Sequence, residues 1–215
     1  MIASILKSMR YKPEHKLETH QKIVKDASRR VLAAGLTGAA VSAVMQDAGL
    51  THGGFYKHFG SKDELLLASL SEAFKENTER MAQVGRESEP GTVWKAIVAA
   101  YLSPEHCEHV EYGCPLAALA PDLTRSSKAI KAQVVVELSN YRNRMLPFMP
   151  GKRPAEREAA FFAIFSTMVG AIEIARMLPE PAMRKRVLAK ARNFLLRSFD
   201  NRTSKLVQGG PARHR

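Results

Sequence analysis

Apolar residues recur at helical spacing along most of this 215-residue chain. In the segment 41–48 they fall at positions i, i+3, i+4 and i+7, so one face of a helix can be buried while the other stays polar. The same spacing continues from about residue 62 onward, and no stretch alternates apolar and polar residues over a useful strand length. The pattern therefore predicts an all-α protein.

Turn and capping residues divide this pattern into elements. Proline and glycine mark turns at 89–91 and 150–154, and residues 104–113 are predicted to form a loop. The predicted helices cover residues 19–34, 41–48, 62–86, 92–103, 116–123, 126–149, 155–178 and 182–199, with a further short helix starting near residue 52. Short N-terminal helices are thus followed by a larger helical body.

The segment 49–62 carries the most information. Gly49 permits the backbone torsions of a sharp turn, and Thr51 is a good N-cap for the next helix, because its hydroxyl can accept a backbone amide hydrogen. At 3.6 residues per turn, Phe55 and Phe59 share one face of that helix. The other side carries His52, Tyr56 and Lys57. We therefore expect one face to pack on the protein and the other to present polar and basic side chains.

A further helix begins at a capping box, Ser61-x-x-Glu64. Lys62 lies in its first turn, where free amides and the helix dipole favour an anion such as a phosphate. In the short helix before it, Gly53 and Gly54 lack side chains and let the backbone approach a surface closely. The turn, the aromatic and basic string and the capped helix together favour docking on DNA over a purely structural motif.

The run 35–67 resembles the DNA-binding domain of the tetracycline-repressor (TetR/AcrR) family of bacterial transcription regulators. The resemblance is carried by Val41, Val44, Ala48-Gly49-Leu50-Thr51, Gly53, Phe55-Tyr56, His58-Phe59 and Ser61-Lys62-Asp63-Glu64-Leu65. It implies an all-α fold with an N-terminal three-helix helix-turn-helix DNA-binding domain and a larger C-terminal helical domain for ligand binding and dimerisation. The predicted helix 19–34, with Val24, Ala27, Val31 and Ala34 as its buried stripe, would brace the other two.

The resemblance also implies which residues contact DNA. Those expected to face the major groove are Thr51, His52, Gly53, Gly54 and Lys57, and those expected to hold backbone phosphates are Tyr56, His58 and Lys62. Ser42 matches a further position that can contact DNA. The chain departs from the family at Ala40, where a threonine usually caps the first helix and touches phosphate. Either Ser42 starts that helix later, or this contact is absent.

The segment 155–178 is apolar around most of its circumference, which one layer of protein cannot cover. By resemblance, it is the first of two helices that form a four-helix interface between subunits. A homodimer suits a palindromic operator with half-sites about one helical turn, or a multiple, apart. The alternative is a central core helix in a monomer.

The resemblance places a pocket for an unidentified small-molecule effector in the region 92–178. Candidate lining residues are Trp94, Tyr101, Tyr112, Cys114, Tyr141, Phe161 and Phe165, although each also suits an ordinary core. An effector bound there would alter the separation of the two DNA-binding heads and lower operator affinity, because one of two states fits the DNA. The predicted function is therefore a ligand-responsive regulator, a repressor by family precedent.

Two cysteines suggest an alternative mode of regulation. Cys107 and Cys114 lie near His106 and His109, and all four could act in a thiol sensor or bind a metal. The spacing fits no familiar zinc module, so we expect no metal and no cofactor, and we interpret Cys114 as a small buried residue that opens a helix. A structural disulfide is not expected in a reducing compartment.

Charge and composition qualify this interpretation without identifying the site. The formal net charge is +12 and the isoelectric point about 9.9, which suggests a polyanionic partner. Lys and Arg number 11 against 8 Asp and Glu in residues 1–77, but 22 against 13 in residues 78–215, so most excess charge lies outside the DNA-binding motif. We expect a cytoplasmic protein with no membrane partner, because no signal peptide is apparent and the longest apolar run, 159–172, is too short to span a bilayer.

The predicted organisation has four parts: a flexible basic arm at 1–16, the helix-turn-helix domain at 17–77, the regulatory and dimerisation domain at 78–200 and a disordered basic tail at 201–215. No hydrolase elbow, P-loop or dinucleotide fingerprint is present, so an enzyme is not expected. Two alternatives remain: a metal-assisted enzyme that uses the Cys and His residues of 106–114, and a helical interaction protein without DNA function.

Overall fold

The computed structural model describes residues 13–38 and 40–205, with the side chains of 15–38, 40–51 and 53–200. Every regular element in these residues is a helix, which confirms the all-α prediction. The α-helices are α1 (Pro13–Ala34), α2 (Val41–Asp47), α3 (Lys62–Arg86), α4 (Val93–Tyr101), α5 (Pro104–Glu108), α6 (Pro115–Arg125), α7 (Lys128–Met145), α8 (Pro154–Met177) and α9 (Pro181–Lys205). Four 3₁₀ helices, Leu36–Gly38, His52–Lys57, Val110–Tyr112 and Leu146–Phe148, connect them.

Helix α3 has the predicted bounds because the sequence identifies its N-cap residue, Ser61. The Ser61 hydroxyl accepts a hydrogen bond from the Glu64 amide at 3.1 Å, which satisfies one of the free amides of the first turn. The termini differ from the prediction: residues 13–16 of the predicted arm and 201–205 of the predicted tail lie in α1 and α9. The rest of that arm and tail, 1–12 and 206–215, lies outside the described residues.

The predicted loop at 104–113 is wrong, because α5 and the 3₁₀ helix Val110–Tyr112 occupy most of it. The Ser103 hydroxyl accepts a hydrogen bond from the His106 amide at 3.1 Å, and Pro104 stands at the first helical position. Both are signals of a helix start. The sequence predicts a loop here because α5 is only five residues long and has no apolar periodicity.

A first hydrophobic cluster joins α1, α2, the 3₁₀ helix His52–Lys57 and the start of α3. Its buried members are Ile23, Val24, Ala27, Val44, Met45, Ala48, Phe55, Phe59 and Leu65. Of the predicted α1 stripe, Ala34 is exposed instead of buried, whereas Ile23 and Leu32 are buried in addition. This cluster fixes α1 as the brace of the N-terminal helices.

A second cluster connects the N-terminal helices to the rest of the chain. It contains Val31 and Leu32 of α1, Leu66, Leu70 and Ala73 of α3, Leu119 and Leu123 of α6 and Ile130 of α7. The predicted domain boundary between residues 77 and 78 lies inside α3, which runs through without a break. A displacement of α6 or α3 can therefore be transmitted to α1 by direct packing.

The third cluster is the core of the C-terminal helices and contains eight buried residues of α8, between Ala160 and Ala175. Met177, 74% exposed, and the half-exposed Phe162 and Ile174 remain uncovered on α8, as does Phe194 on α9. Helix α8 is long and apolar enough to cross a membrane by composition, but 44% of its most apolar window is buried inside the protein. Core helices of globular proteins meet the same test, so this is weak evidence for a membrane span.

Candidate nucleic-acid interface and ligand cavities

The segment that follows α2 is a 3₁₀ helix, His52–Lys57, where the sequence predicted an α-helix. The Gly54 amide donates to the Thr51 carbonyl and the His58 amide to the Phe55 carbonyl, both at 2.9 Å and both across three residues. Two consecutive glycines have a low preference for the α-helix, and a short element tolerates the tighter winding. The rings of Phe55 and Phe59 nevertheless stack at 5.5 Å in the core, as the predicted face requires.

The opposite side of this 3₁₀ helix is open to solvent. Tyr56 is 71% exposed. Also exposed are Ser42, Thr51, Gly53, Lys57 and Lys62, while Gly54 and His58 are half-buried; the side chain of His52 lies outside the described residues. A Cβ placed on Gly53 would meet no atom within 4 Å. Nothing in the described protein therefore requires a glycine at this position.

Two caps differ from the prediction. Thr51 is at the N-cap position with extended backbone, but its hydroxyl makes no capping hydrogen bond. Ala40 is the N-cap of α2, so Ser42 does not start the helix later, and α2 has no side-chain cap. The C-terminal end of α2 is instead held by Lys22 of α1, whose Nζ donates to the Ala48 carbonyl at 3.2 Å. Tertiary contacts supply what the local sequence lacks.

His58 packs beside His20 of α1, a residue that the sequence reading did not select. Their ring centroids are 6.2 Å apart, and His20 stacks on Phe59 at 4.6 Å. Burial lowers the pKa of His58, and the neighbouring His20, Lys16 and Lys57 lower it further. The Nδ1 atom of His58 is buried without a hydrogen-bond partner in the described protein. An incoming phosphate would stabilise the protonated form of His58.

Lys57 and Lys62 carry the available positive charge on this surface. In the part of the chain that the structure describes, neither lysine forms an ion pair. Glu64 lies at the same helix start, but its carboxylate is occupied, because Oε2 accepts the Gly60 amide hydrogen at 2.6 Å. Lys57 and Lys62 are therefore available to bind an anion, whereas the Glu64 carboxylate is already hydrogen-bonded.

Five of the seven candidate effector residues, Tyr101, Cys114, Tyr141, Phe161 and Phe165, meet in the C-terminal core. The ring of Tyr141 lies 5.1 Å from Phe165 and 6.1 Å from Phe161, and Tyr101 lies 6.4 Å from Phe165. The hydroxyls of Tyr101 and Tyr141 are buried and make no hydrogen bond to oxygen or nitrogen in the described residues. The thiol of Cys114 adjoins Tyr101, and burial raises the pKa of both phenols. Trp94 packs elsewhere, against Phe199 at 6.1 Å.

Two cavities lie beside this core, in the described part of the protein. The first, of about 390 Å³, is lined by Arg80, Met81, Val84, Ala100, Ser103, Glu105, His106, His109 and Tyr112. The second, of about 310 Å³, is lined by Leu116, Leu138, Phe162, Phe165, Ser166, Val169, Gly170 and Glu173. Of the predicted lining residues, Tyr112 belongs to the first cavity and Phe165 to the second.

Both cysteines are buried. Cys107 is buried in α5, and Cys114 is buried at the N-cap of α6, as predicted for a small residue opening a helix. Burial raises the pKa of both thiols, so both are protonated near neutral pH. Among the described residues, no group of three His, Cys, Asp or Glu side chains could hold a metal ion.

Two polar side chains that the sequence reading did not single out for this role organise the segment 101–117. His106 Nδ1 is 2.6 Å from the Tyr101 carbonyl, and its Nε2 accepts the Cys114 amide hydrogen at 3.2 Å. Arg176 of α8 donates to the carbonyls of His106, Cys107 and Ala117 at 3.0, 3.1 and 3.2 Å. The Ala117 carbonyl is free because Pro121, four residues later in α6, has no amide hydrogen.

Acidification should destabilise the protein through His106. Burial lowers its pKa from 6.5 to about 4, and protonation of Nε2 would remove the acceptor for the Cys114 amide. Because the pKa of His106 in the folded state lies below its value in the unfolded state, the stabilisation that neutral His106 contributes is fully present above pH 6.5. It is lost as the pH falls toward 4, by about 3 kcal/mol in total. Urea denaturation of wild type and His106→Gln at pH 7.5, 6, 5 and 4 measures this loss. An equal loss in both proteins would contradict the assignment.

Comparison with known proteins gives a consistent result. Residues 25–69 match the sequence model of bacterial regulatory proteins, tetR family. The chain is similar to the solved structure of a TetR transcriptional regulator from Chloroflexus aurantiacus, with 21% identity and a TM-score of 0.66 over 85% of this chain and 96% of that one. A TetR-family regulator from Cytophaga hutchinsonii has 15% identity and a TM-score of 0.68 over 84% and 94%.

A third similar structure contains a ligand. It is the transcriptional regulator FadR from Bacillus subtilis in complex with stearoyl-CoA, with 19% identity and a TM-score of 0.54 over 82% of this chain and 95% of that one. Among curated protein sequences, none matches this chain. At these identities the similarity to solved structures establishes the shared fold.

Proposed function

Because this chain carries the DNA-binding domain of the tetR family and the fold of TetR-family regulators, we propose that it is a ligand-responsive transcription regulator. It binds a palindromic operator as a homodimer and acts as a repressor that a small molecule releases. We propose the cytoplasm as its location and no enzymatic activity. The observation that supports DNA binding best is the exposed face of the 3₁₀ helix His52–Lys57.

This face combines a rigid base with free donors. Phe55 and Phe59 anchor the element in the first cluster, so the outward side chains do not depend on a mobile loop for their position. Lys57 and Lys62 are exposed cations without a carboxylate partner in the described residues, and Tyr56 projects into solvent. Cations and hydroxyls of this kind bind the phosphates that contribute most of the affinity for DNA.

The remaining proposed DNA contacts are Ser42, Thr51, His52, Gly53, Gly54 and His58. A methyl group at Gly53 would contact no atom of the described protein. It would instead lie between the protein and the DNA, so the glycine supports a close approach. The free hydroxyl of Thr51 supports a similar role, because it is not consumed in capping. His58, held against His20, would contact phosphate in its protonated form.

The homodimer rests on the apolar residues left uncovered on α8 and α9. Phe162, Ile174 and Phe194 are about half or more exposed on neighbouring helices that pack together. Contiguous exposed apolar side chains on a folded chain indicate a protein interface. Two such faces related by a two-fold axis would form an isologous four-helix contact and present two DNA-binding heads.

For the effector we propose a site in the C-terminal core that involves Tyr101, Cys114, Tyr141, Phe161 and Phe165, with Trp94 at its periphery. In the described residues the buried Tyr141 hydroxyl has no hydrogen-bond partner and the buried Tyr101 hydroxyl has only the weak Cys114 thiol, which is costly. A ligand that accepted hydrogen bonds from them would be stabilised by the same groups. Release by a thiol or a metal has less support, because both thiols are buried and protonated.

Selection of bound fragments from random duplexes, followed by salt-titrated affinity measurements, tests the DNA-binding role. We expect log affinity to fall linearly with log salt concentration. Lys62→Ala should weaken all duplexes alike and reduce the salt slope by about 1, whereas Lys57→Ala and His52→Ala should also change the preferred sequence. Lys131→Ala, which removes an exposed lysine from α7, is the matched control.

A protein that ignores random duplex at low salt would overturn the proposed function. If it binds but Lys57→Ala, Lys62→Ala and His52→Ala all match the Lys131→Ala control, the assignment of the contact residues is wrong. Selected sites without a palindrome would argue against the homodimer.

A further inference from the structure

The cavity of about 390 Å³ lies between α3, α4, α5 and the 3₁₀ helix Val110–Tyr112. Met81, Val84 and Ala100 supply apolar lining, and the other lining residues are polar. A volume near the lower end of the range for ligand pockets suits a small metabolite. Such a cavity can hold a molecule that has both an apolar body and a polar head.

Arg80 supplies the strongest polar group of this cavity. Its guanidinium is half-buried and donates one hydrogen bond to the Tyr112 carbonyl. In the described residues it forms no ion pair, although a guanidinium carries five N–H donors and stays charged. Donors therefore remain for a ligand, and a carboxylate or phosphate matches their planar fork.

Positive charge is concentrated around Tyr112 and its neighbour Gly113. Arg29 of α1 lies over the Tyr112 ring at 5.2 Å, and a Cβ on Gly113 would be 2.9 Å from the Arg176 guanidinium. Neither arginine has a carboxylate within ion-pair distance in the described part of the chain. Three arginines from three helices thus converge on one turn, and none of them forms an ion pair in the described residues. Glu76 and Glu173 are the acids nearest to Arg80 and Arg176, and Glu76 is already paired with Lys25 at 3.3 Å.

The other titratable groups of the cavity do not cancel this charge. His106 is neutral near pH 7, since burial lowers its pKa to about 4. His109 is 3.5 Å from Glu111, which offsets any charge on that imidazole. Glu105 is the acid of the lining, and it is exposed to solvent in the first turn of α5. The buried part of the cavity therefore favours an anion.

We propose that this cavity binds a small amphipathic oxyanion through Arg80, and that Tyr112 transmits its occupancy to α1. A ligand oxyanion that engages both terminal nitrogens of the Arg80 guanidinium would compete with the Tyr112 carbonyl for Nη1. Displacement of Tyr112 would weaken its contact with Arg29, and α1 braces α2 and the 3₁₀ helix His52–Lys57 through the first cluster. This second step rests on the proposed function, whereas the binding step does not.

Calorimetric titration of the full-length protein without DNA tests the binding step. The probes are hexanoate and hexyl phosphate, with hexanamide as the neutral analogue of equal length. We expect both anions to bind at least about tenfold more tightly than hexanamide, which corresponds to one charge-assisted hydrogen bond. The ratio between the two anions distinguishes a carboxylate from a phosphate ligand.

Two variants locate the site. Arg80→Gln should weaken hexanoate binding by about tenfold or more, while Arg86→Gln, an exposed arginine of the same helix, should change it less than about twofold. Ala100→Leu fills the apolar side of the cavity, keeps Arg80 and should also abolish binding. Equal affinities for hexanoate and hexanamide, affinities for both anions weaker than about 10 mM, or an unchanged Arg80→Gln protein would overturn the site.

The transmission step is tested on a duplex recovered by selection. Saturating hexanoate should weaken wild-type operator binding, and Arg29→Met should bind hexanoate normally but lose this response. Hexanoate binding without any effect on the operator would overturn transmission through Tyr112 and leave the site intact. Failure to bind any duplex would overturn the proposed function, while the calorimetric result would still decide the site.

Discussion

Replacing Phe59 with alanine should unfold the N-terminal helices and abolish DNA binding. Phe59 is buried between Phe55 at 5.5 Å and His20 at 4.6 Å, and no other side chain can fill the space that it leaves. Truncation of a buried phenylalanine costs about 3 to 5 kcal/mol, which is a large share of the stability of a small domain. Urea denaturation followed by circular dichroism measures the loss, and a duplex-binding assay measures its consequence.

Tyr56→Ala is the matched control for this prediction. Tyr56 is an aromatic residue of the same segment but points into solvent, so its removal should change the free energy of unfolding by less than about 0.5 kcal/mol. It should still reduce DNA affinity, because it removes a proposed phosphate contact. If Phe59→Ala were as stable as Tyr56→Ala, the first cluster would not support the DNA-binding face.

Arg176→Met should destabilise the C-terminal domain by about 4 kcal/mol, because three carbonyls would lose a charged donor. Two of these carbonyls, of His106 and Cys107, belong to the last turn of α5, and the third is left free by Pro121. Methionine retains the length and the apolar stem of arginine but donates nothing. Thermal and urea denaturation measure the loss, and pH should matter little, since the guanidinium stays charged.

Arg144→Met, at an exposed arginine of α7 that forms no ion pair in the described residues, controls for the change in charge and shape. Its stability should differ from wild type by less than about 0.5 kcal/mol. A loss in Arg176→Met no larger than in this control would show that water replaces the guanidinium at the three carbonyls.

The sequence predicted elements best where local chemistry specifies them. Helix α3 has the expected bounds, because its Ser61 cap and apolar periodicity are both local features. The burial of Phe55 and Phe59 also follows from spacing alone, and it holds even though the element is a 3₁₀ helix instead of the predicted α-helix. Phe59 lies beyond the end of the 3₁₀ helix, and its amide donates to the Phe55 carbonyl at 3.0 Å, so one turn with α-type hydrogen bonding brings the two rings together.

The candidate sites were predictable to different degrees. Exposure of the DNA-binding candidates follows from the amphipathic pattern of one short segment. The cavity beside Arg80 brings residues of α3, α4 and α5 together with Tyr112, and no local pattern relates them. The Pro121 position does predict a free carbonyl at Ala117, but it does not indicate which distant donor would satisfy it.

The sequence by itself determined the helical class, the DNA-binding motif and the apolar excess of α8, since each depends on residues close together along the chain. Three contacts were decided by the tertiary structure alone. Arg176 donates hydrogen bonds to the segment 104–117, and His20 packs beside His58. Arg29 and Arg80 both contact Tyr112. The physical reason is that a buried polar group must find a partner wherever the fold provides one. That partner is selected by proximity in space, which periodicity does not encode.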